Sequence, residues 1–421
     1  MDRRAFLRGM AVAGAGVGLG IGVGCGDDDG ESTGDLTGAT AATSGSGAKS
    51  TNRAVKLGFI ALTDCSSILM AKELGYFEER GLDVTIEKQA SWPATRDNLL
   101  TDQIDGCHGL YTLPLSVATG IGGDGRRDIF VAMMLNNNGQ AITLANSLAD
   151  AGYGDPEQAG EAIKAAGGST NLAMTFPGGT HDLWLRYWLL AAGIPFDSVG
   201  IEAVPPPQMV QNMSVGNVQG YCVGEPWGAV AVRQDIGFTH LATQDLWEHH
   251  PEKAFLVTRK FKEERPDVVK DCMAAILRAS RWLDDFDNRA GAAEIVGQEH
   301  YINAPAAEIA GRLGGVYDLG ADLGEKDFKG QQMTFFRDGL VNLPRKSHYF
   351  WALAQYQRFG YLKEAPPYQE LADELILSDL YAEVAATEGI DIPDDDMQPF
   401  DIELDGVTFD PAHPDEEASR T

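Results

Sequence analysis

The chain has 421 residues, 44% of them hydrophobic, with 62 acidic against 33 basic side chains and a formal net charge of −29. That apolar share supports a sizeable core and excludes a wholly disordered protein. The acidic surplus argues against a nucleic-acid partner and against an anionic membrane surface as the main partner, and it is uneven: residues 383–421 carry a net −12 and 26–46 a net −5, while the first 25 carry +2.

Arg3-Arg4-Ala5-Phe6-Leu7-Arg8 precedes a Gly-rich, weakly apolar run from Gly9 to Gly24. This pattern resembles a twin-arginine export signal, and the run is too short and Gly-rich for a membrane-spanning helix. It ends in Ile21-Gly22-Val23-Gly24-Cys25, a lipoprotein-type cleavage box with Gly22 where Leu is usual; the alternative is a plain cleaved signal. Residues 1–25 are read as the signal, with Cys25 as the lipidation site. Residues 26–54, rich in Gly, Ser, Thr and Ala, cannot bury enough to fold and read as a flexible acidic tether. An exported protein on a tether suits extracytoplasmic capture of a solute.

Strands and helices then alternate. Val55–Ile60 reads as a strand and Ser66–Arg80 as a helix with Met70, Ala71, Leu74 and Phe77 on one face. Leu82–Glu87 is a predicted strand, Ala94–Thr101 a helix, Ile104–Leu110 a strand and Ile129–Leu135 another. A second round begins with strand Asn171–Phe176 and the turn Pro177-Gly178-Gly179. Thr180 is the expected N-cap of helix His181–Ala192. Strand Ile201–Val204, helix Gln208–Val215, strand Val218–Val223 and helix Glu225–Arg233 follow. Residues 265–385 read as mostly helical. The alternation predicts an α/β protein with mixed, mainly parallel sheets flanked by helices, in two lobes with a ligand cleft between them. The expected division is 55–145 with 254–385 as lobe 1, 146–253 as lobe 2, and 386–421 as an acidic tail that is partly docked.

Cys65, Cys107, Cys222 and Cys272 lie in no metal-ligand spacing. They read as buried free thiols, which export of an already folded chain favours, or as disulfides. Zinc motifs, nucleotide-binding glycine loops and Ser hydrolase elbows are absent from the sequence, so no enzyme chemistry and no cofactor are expected. His249-His250 lacks a third ligand nearby. Asp401, Glu403, Asp405 and Gly406 resemble part of a calcium loop, but Ala412 stands where its final Glu belongs.

Several blocks carry a family resemblance. Lys56-Leu57-Gly58-Phe59-Ile60-Ala61-Leu62-Thr63-Asp64-Cys65, Gln89-Ala90-Ser91-Trp92 and Asn138-Gly139-Gln140-Ala141-Ile142 are similar to the nitrate- and bicarbonate-binding solute-binding proteins of ABC importers. The most specific block is Thr175-Phe176-Pro177-Gly178-Gly179-Thr180-His181-Asp182-Leu183-Trp184. Pro205-Pro206-Pro207-Gln208-Met209-Val210, Cys222-Val223-Gly224-Glu225-Pro226-Trp227-Gly228, His250-Pro251-Glu252-Lys253 and Asp405-Gly406-Val407-Thr408-Phe409-Asp410-Pro411 extend it. The resemblance spans nearly all of residues 55–411.

It implies a periplasmic-binding-protein fold of type II that closes over a small oxyanion and docks, as a monomer, on membrane permease subunits. It also implies ligand contacts from Trp92, Gln140, His181 and Lys253, with Thr180 and Gly139 as further cleft positions. In the bicarbonate branch the His and Lys positions change and an acid helps hold calcium. His181 and Lys253 follow the nitrate pattern, so calcium belongs only to the bicarbonate alternative; nitrite is another, and more distant ones are an enzyme on the same fold, whose Cys-rich motif with a His is absent from the sequence, and a cytoplasmic nitrate sensor, which the export signal opposes. The membrane enters only through the lipid anchor, which implies a periplasmic location or the outer face of the cell membrane. Composition alone reads Lys253 as a surface residue, and it is the motif that makes it a ligand. Nitrate is a flat monoanion with three acceptor oxygens, so the expected site offers donors, one cation and no facing carboxylate.

Overall fold

A computed structural model describes residues 50–167 and 170–420, and the strand–helix alternation becomes two five-stranded sheets there. The export signal, Cys25 and most of the tether lie outside the described residues. Strands β1 (Ala54–Phe59), β2 (Asp83–Lys88), β3 (Gly106–Leu110) and β4 (Ile129–Asn137) belong to the first sheet. β5 (Gln140–Ala145), β6 (Asn171–Met174), β7 (Gly200–Ala203), β8 (Gly220–Gly224) and β9 (Gly237–Ala242) form the second, and β10 (Pro251–Thr258) returns to the first. The strand orders are β2-β1-β3-β10-β4 and β7-β6-β8-β5-β9.

The two sheets share one plan. Three strands are parallel, β2-β1-β3 and β7-β6-β8, each linked by helices that cover the sheet faces. A strand that arrives from elsewhere in the chain, β10 or β5, then pairs antiparallel on both of its sides. Both inserted strands are buried along almost their whole length, consistent with the apolar run Ala254–Val257 and with Ala141, Ile142 and Leu144 around a single buried Thr143.

The chain passes between the sheets at Asn138-Gly139 and again between Ala242 and Pro251. Gly139 has φ +90°, and a Cβ there would stand 2.1 Å from Met333 Cε, so both backbone and space call for glycine. The halves also touch directly. The Thr63 N–H donates to the Glu225 carbonyl at 2.6 Å, and the Trp227 indole N–H to the Ala61 carbonyl at 2.9 Å.

Local chemistry sets the helix ends. Ser91 Oγ accepts from the Ala94 N–H at 3.2 Å and Pro93 sits in the first turn, which fixes the start of helix Trp92–Leu100. The helix expected over Ser66–Arg80 is instead two, Ser66–Glu73 and Tyr76–Glu79, because Gly75 at φ +78° ends the first. Helix Thr180–Ala191 is capped by Gly179 and not by Thr180, whose hydroxyl is engaged elsewhere. This helix is buried on nearly all sides: it packs on β6 and β8, and its Trp184 meets Trp351 of helix Lys346–Arg358, ring centres 5.2 Å apart.

The region 265–385 is helical only in part. Helices Pro266–Asp284, Arg289–Val296 and Ala306–Gly314 give way to a small hairpin, Val316–Asp318 with Glu325–Asp327. Helices then resume at Lys346–Arg358, Tyr368–Leu375 and Ser378–Thr387. The repeated Asp-Leu-Gly punctuation at 318–320 and 322–324 breaks helical periodicity, with Gly320 and Gly324 at positive φ. Helix Pro266–Asp284 carries eleven buried residues along its inner face, each large apolar one contributing about 1.5–3 kcal/mol.

The acidic end folds back. Phe400–Ile402 pairs with Val407–Phe409, and Phe400 stacks on Trp247 at 4.3 Å with ring planes 3° apart. Glu417, in helix Pro414–Ala418, accepts from Gln355 Nε2 at 2.6 Å and pairs with Arg358 at 3.0 Å. The carboxylates that resemble a calcium loop have other partners: Glu403 accepts from the Glu248 N–H, and Asp405 pairs with Arg420 and accepts from Tyr187 Oη. Cys65, Cys107, Cys222 and Cys272 are buried free thiols. No helix among the described residues is long and apolar enough to cross a membrane.

Candidate functional site

The strand ends that face each other across the two crossings carry polar side chains that are fully buried. From the first sheet come Asp64 in the turn after β1, His108 on β3, and Glu252 and Lys253 on β10. Trp92, opening its helix, stands beside them. From the second come Gln140 on β5, Thr175 after β6, and Thr180, His181 and Trp184 of helix Thr180–Ala191.

Two neighbours on a strand normally point to opposite faces. Glu252 and Lys253 both reach the site because the β10–β4 register slips between Pro251 and Lys253 and again after Lys253. Such a bulge bends the strand and re-aims a side chain. Asn136 Oδ1 accepts from the Lys253 backbone N–H at 3.2 Å and steadies it.

Lys253 Nζ lies 2.8 Å from Asp64 Oδ2, 2.6 Å from Glu252 Oε1 and 3.4 Å from His181 Nε2, with the Trp92 ring centre at 6.0 Å. Gln140 bridges the halves: its amide N–H donates to Asp64 Oδ2 at 3.1 Å, and its Oε1 lies 2.8 Å from His181 Nε2. The acceptor on Gln140 assigns the proton of His181 to Nε2. Nδ1 then accepts from the Thr175 hydroxyl at 2.6 Å. Asp64 Oδ1 takes a bond from His108 Nε2 at 2.6 Å. Glu252 accepts from Thr180 Oγ1 at 2.6 Å and Trp184 Nε1 at 3.0 Å. Trp92 Nε1 is buried without a hydrogen-bond partner.

Electrostatics follow from burial and the one cation. Burial would raise the Asp64 carboxyl, but the Lys253 ammonium and His108 outweigh it and hold Asp64 well below the usual carboxylate range. Burial raises the Glu252 carboxyl, and Lys253 only partly offsets this. Burial would lower Lys253, but Asp64 and Glu252 raise it above its ordinary value. His181 is pushed well below its ordinary value by burial and by Lys253, so it is a neutral donor at neutral pH.

The structure brings Trp92, Gln140, His181 and Lys253 into one cluster. Thr180 joins it through Glu252, and Gly139 precedes Gln140 at the crossing. The expectation of no facing carboxylate is wrong: Asp64 and Glu252 both face Lys253. Each lies inside a block already singled out, yet Glu252, next to a lysine in sequence, reads as surface charge, and the bulge that turns it inward leaves no hydropathy signal, while Asp64 sits in a turn whose burial no local pattern announces. His250 is also buried here, its Nε2 2.7 Å from Thr243 Oγ1. Among the described residues no group of three or more His, Cys, Asp or Glu is arranged to hold a metal ion.

Residues 48–297 match the model of the NMT1-like family. The nitrate/nitrite binding protein NrtA of Nostoc is 40% identical over 374 residues, 86% of this chain and 84% of that protein. The bicarbonate-binding protein CmpA of Synechococcus elongatus is 28% identical over 389 residues, 86% of this chain and 85% of that one. The crystal structure of the periplasmic nitrate-binding protein NrtA from Synechocystis superposes with a TM-score of 0.83 at 34% identity, covering 88% of this chain and 99% of that one. Two mixed five-stranded sheets with a buried polar cluster between them are thus the two lobes and cleft of a periplasmic binding protein, and the chain belongs to the NMT1-like family, among its nitrate- and bicarbonate-binding solute-binding proteins.

Proposed function

We propose that this protein captures nitrate between its two lobes and delivers it to the permease subunits of an ABC importer. It acts outside the cytoplasm after export through its N-terminal signal, on a lipid anchor at Cys25. Trp92, Gln140, His181 and Lys253 are the ligand-binding residues. Lobe 1 is the β1–β4 sheet with β10 and the C-terminal helices, and lobe 2 is the β5–β9 sheet, a division that moves residues 140–145 from the expected lobe 1 into lobe 2 and 251–253 from lobe 2 into lobe 1. The observation that carries the reading is the meeting of a buried ammonium, an unpartnered indole N–H, a neutral imidazole N–H and an amide NH2 from both lobes. Four donors around a small volume suit a planar ion that only accepts. Because both lobes contribute, the ion would tie them together, and docking on the permease would follow closure.

Lys253 sits where a calcium-assisted bicarbonate site would need a carboxylate, and its charge opposes a divalent ion. Thermal unfolding of the protein with nitrate, nitrite, sulfate, and bicarbonate with and without calcium tests the reading. A ligand at a hundredfold excess over its Kd stabilises the folded state by about 2.7 kcal/mol. Nitrate is expected to raise the melting temperature by a few degrees. A rise with bicarbonate and calcium alone would refute it.

A further inference from the structure

The cluster around Lys253 holds more negative charge than an anion site tolerates. With Asp64 and Glu252 both ionised, one ammonium faces two carboxylates, all three fully buried. Adding nitrate would place three negative charges against one positive one in a site shielded from water. Like charges this close cannot all stay ionised in a low-dielectric interior.

We infer that Glu252 takes up a proton from solvent as nitrate enters, so that the cleft captures the anion together with a proton. This rests on the nitrate reading of the same site. The step is a protonation alone: the Glu252 carboxylate becomes a carboxylic acid, and no other bond changes.

The hydrogen bonds choose Glu252 over Asp64. Asp64 is held by the Gln140 amide N–H at 3.1 Å, by His108 Nε2 at 2.6 Å and by Lys253 at 2.8 Å. A proton on Asp64 Oδ2 would meet the amide NH2 and the ammonium, neither of which can accept, and one on Oδ1 would force His108 into the tautomer whose N–H sits on Nδ1, a buried atom without a partner. Glu252 Oε1 accepts from Lys253 Nζ and from Thr180 Oγ1, each at 2.6 Å; the ammonium touches both carboxylates, but only Glu252 has a hydroxyl beside it, which can reverse its role and accept. Trp184 Nε1 continues to donate to Oε2 at 3.0 Å. Burial already lifts the Glu252 carboxyl, whereas Lys253 and His108 hold Asp64 down against its own burial.

The other groups facing Glu252 do not offer an equal proton site. His181 Nε2, 3.3 Å from Oε1, already carries a proton, and its Nδ1 takes the Thr175 hydroxyl. His250 Nδ1 stands 3.8 Å from Oε2, and burial pulls that imidazole down to about 3. His108 lies beyond Asp64 and is lowered by burial. The Cys222 thiol on β8 is raised well above its ordinary value by burial and by the charge of Glu252, so it stays neutral.

Titration calorimetry of the protein with sodium nitrate, in two buffers of different ionisation enthalpy between about pH 6 and 9, tests the inference. The expected result is a net uptake that approaches one proton per nitrate as the pH rises. Over the same range the affinity should weaken by about tenfold per pH unit above the titration of free Glu252. In Glu252→Gln that slope should vanish, whatever the absolute affinity. If the variant does not fold, the wild-type buffer comparison alone decides. Nitrate binding with no buffer dependence and no pH slope, or a slope that survives in Glu252→Gln, overturns the inference and leaves the nitrate reading standing. No nitrate binding at any pH overturns both.

Discussion

Replacing Lys253 with Met keeps the length of the side chain and removes the cluster's ammonium. At 2.8 Å from Asp64 Oδ2 and 2.6 Å from Glu252 Oε1, each pairing is a gross attraction of about 6 kcal/mol at an effective dielectric of 20. Most of that is offset by the desolvation of three buried charges. What remains on removing one partner is a loss of about 3–5 kcal/mol, because two carboxylates stay buried without a counter-ion. For the ligand, losing a charge-assisted hydrogen bond is worth about 1.5–3 kcal/mol, or roughly 10- to 150-fold in Kd. Facing carboxylates add repulsion, so the expected loss is at least roughly 100-fold. In Lys253→Met the Glu252 and Asp64 carboxyls have burial without the cation, so their folded pKa values rise above the unfolded ones. Their stability contribution is then complete below about pH 4 and is lost as the pH climbs through the raised values. Chemical denaturation against pH, with nitrate calorimetry beside it, reads both effects. A variant that binds nitrate as tightly as the parent and shows the same stability at pH 5 and 8 would refute the reasoning.

Asp64→Asn removes a carboxyl held low by Lys253 and His108. The parent gains stability from this group above its unfolded value of about 3.9 and loses it as the pH falls through the depressed folded value; the variant's acid unfolding curve should therefore be flatter below about pH 4, and an identical acid limb would contradict it. Gln140→Leu takes the hydrogen-bond acceptor from the His181 Nε2–H and one of the two donors from Asp64 Oδ2, so urea unfolding should report a loss of about 1–3 kcal/mol along with weaker nitrate binding. Gly224→Ala would put a Cβ 2.7 Å from Gln140 Oε1 and 3.0 Å from Asp64 Oδ2, which disturbs the bridge between lobes; nitrate affinity should drop with little change in far-UV circular dichroism. Trp92→Phe deletes the unpartnered indole N–H while keeping an aromatic wall, and a loss of about 0.5–1.5 kcal/mol in nitrate binding is expected by calorimetry.

The sequence made some of this architecture readable and hid the rest for identifiable reasons. The parallel strands β1, β2, β3, β6, β7 and β8 alternate with helices, and periodicity places each within two residues. The inserted strands β5 and β10 join their sheets by antiparallel pairing with partners far away in the chain. No local pattern says which sheet will receive an apolar run. The helix expected through Ser66–Arg80 ignored Gly75, whose positive φ ends a turn cleanly. In the site, Trp92, Gln140, His181 and Lys253 were visible through motif resemblance, since each is a single polar or aromatic residue in a distinctive block. Asp64 and Glu252 sat in two of those blocks unnoticed. Their importance comes from burial beside Lys253, and burial is set by the register slip in β10 and by the meeting of two lobes. Thr180 looked like a cap because Thr often is one, but its hydroxyl bonds more usefully to a buried carboxylate than to a helix end that Gly179 already starts.

The anion's position tests the account most directly. In crystals of the protein grown with nitrate, the ion should lie within hydrogen-bond distance of Lys253 Nζ, and the amide of Gln140, the His181 ring and the Trp92 indole should line the same pocket. Nitrate bound elsewhere, with Lys253 still wedged between Asp64 and Glu252 and touching no anion, would contradict it.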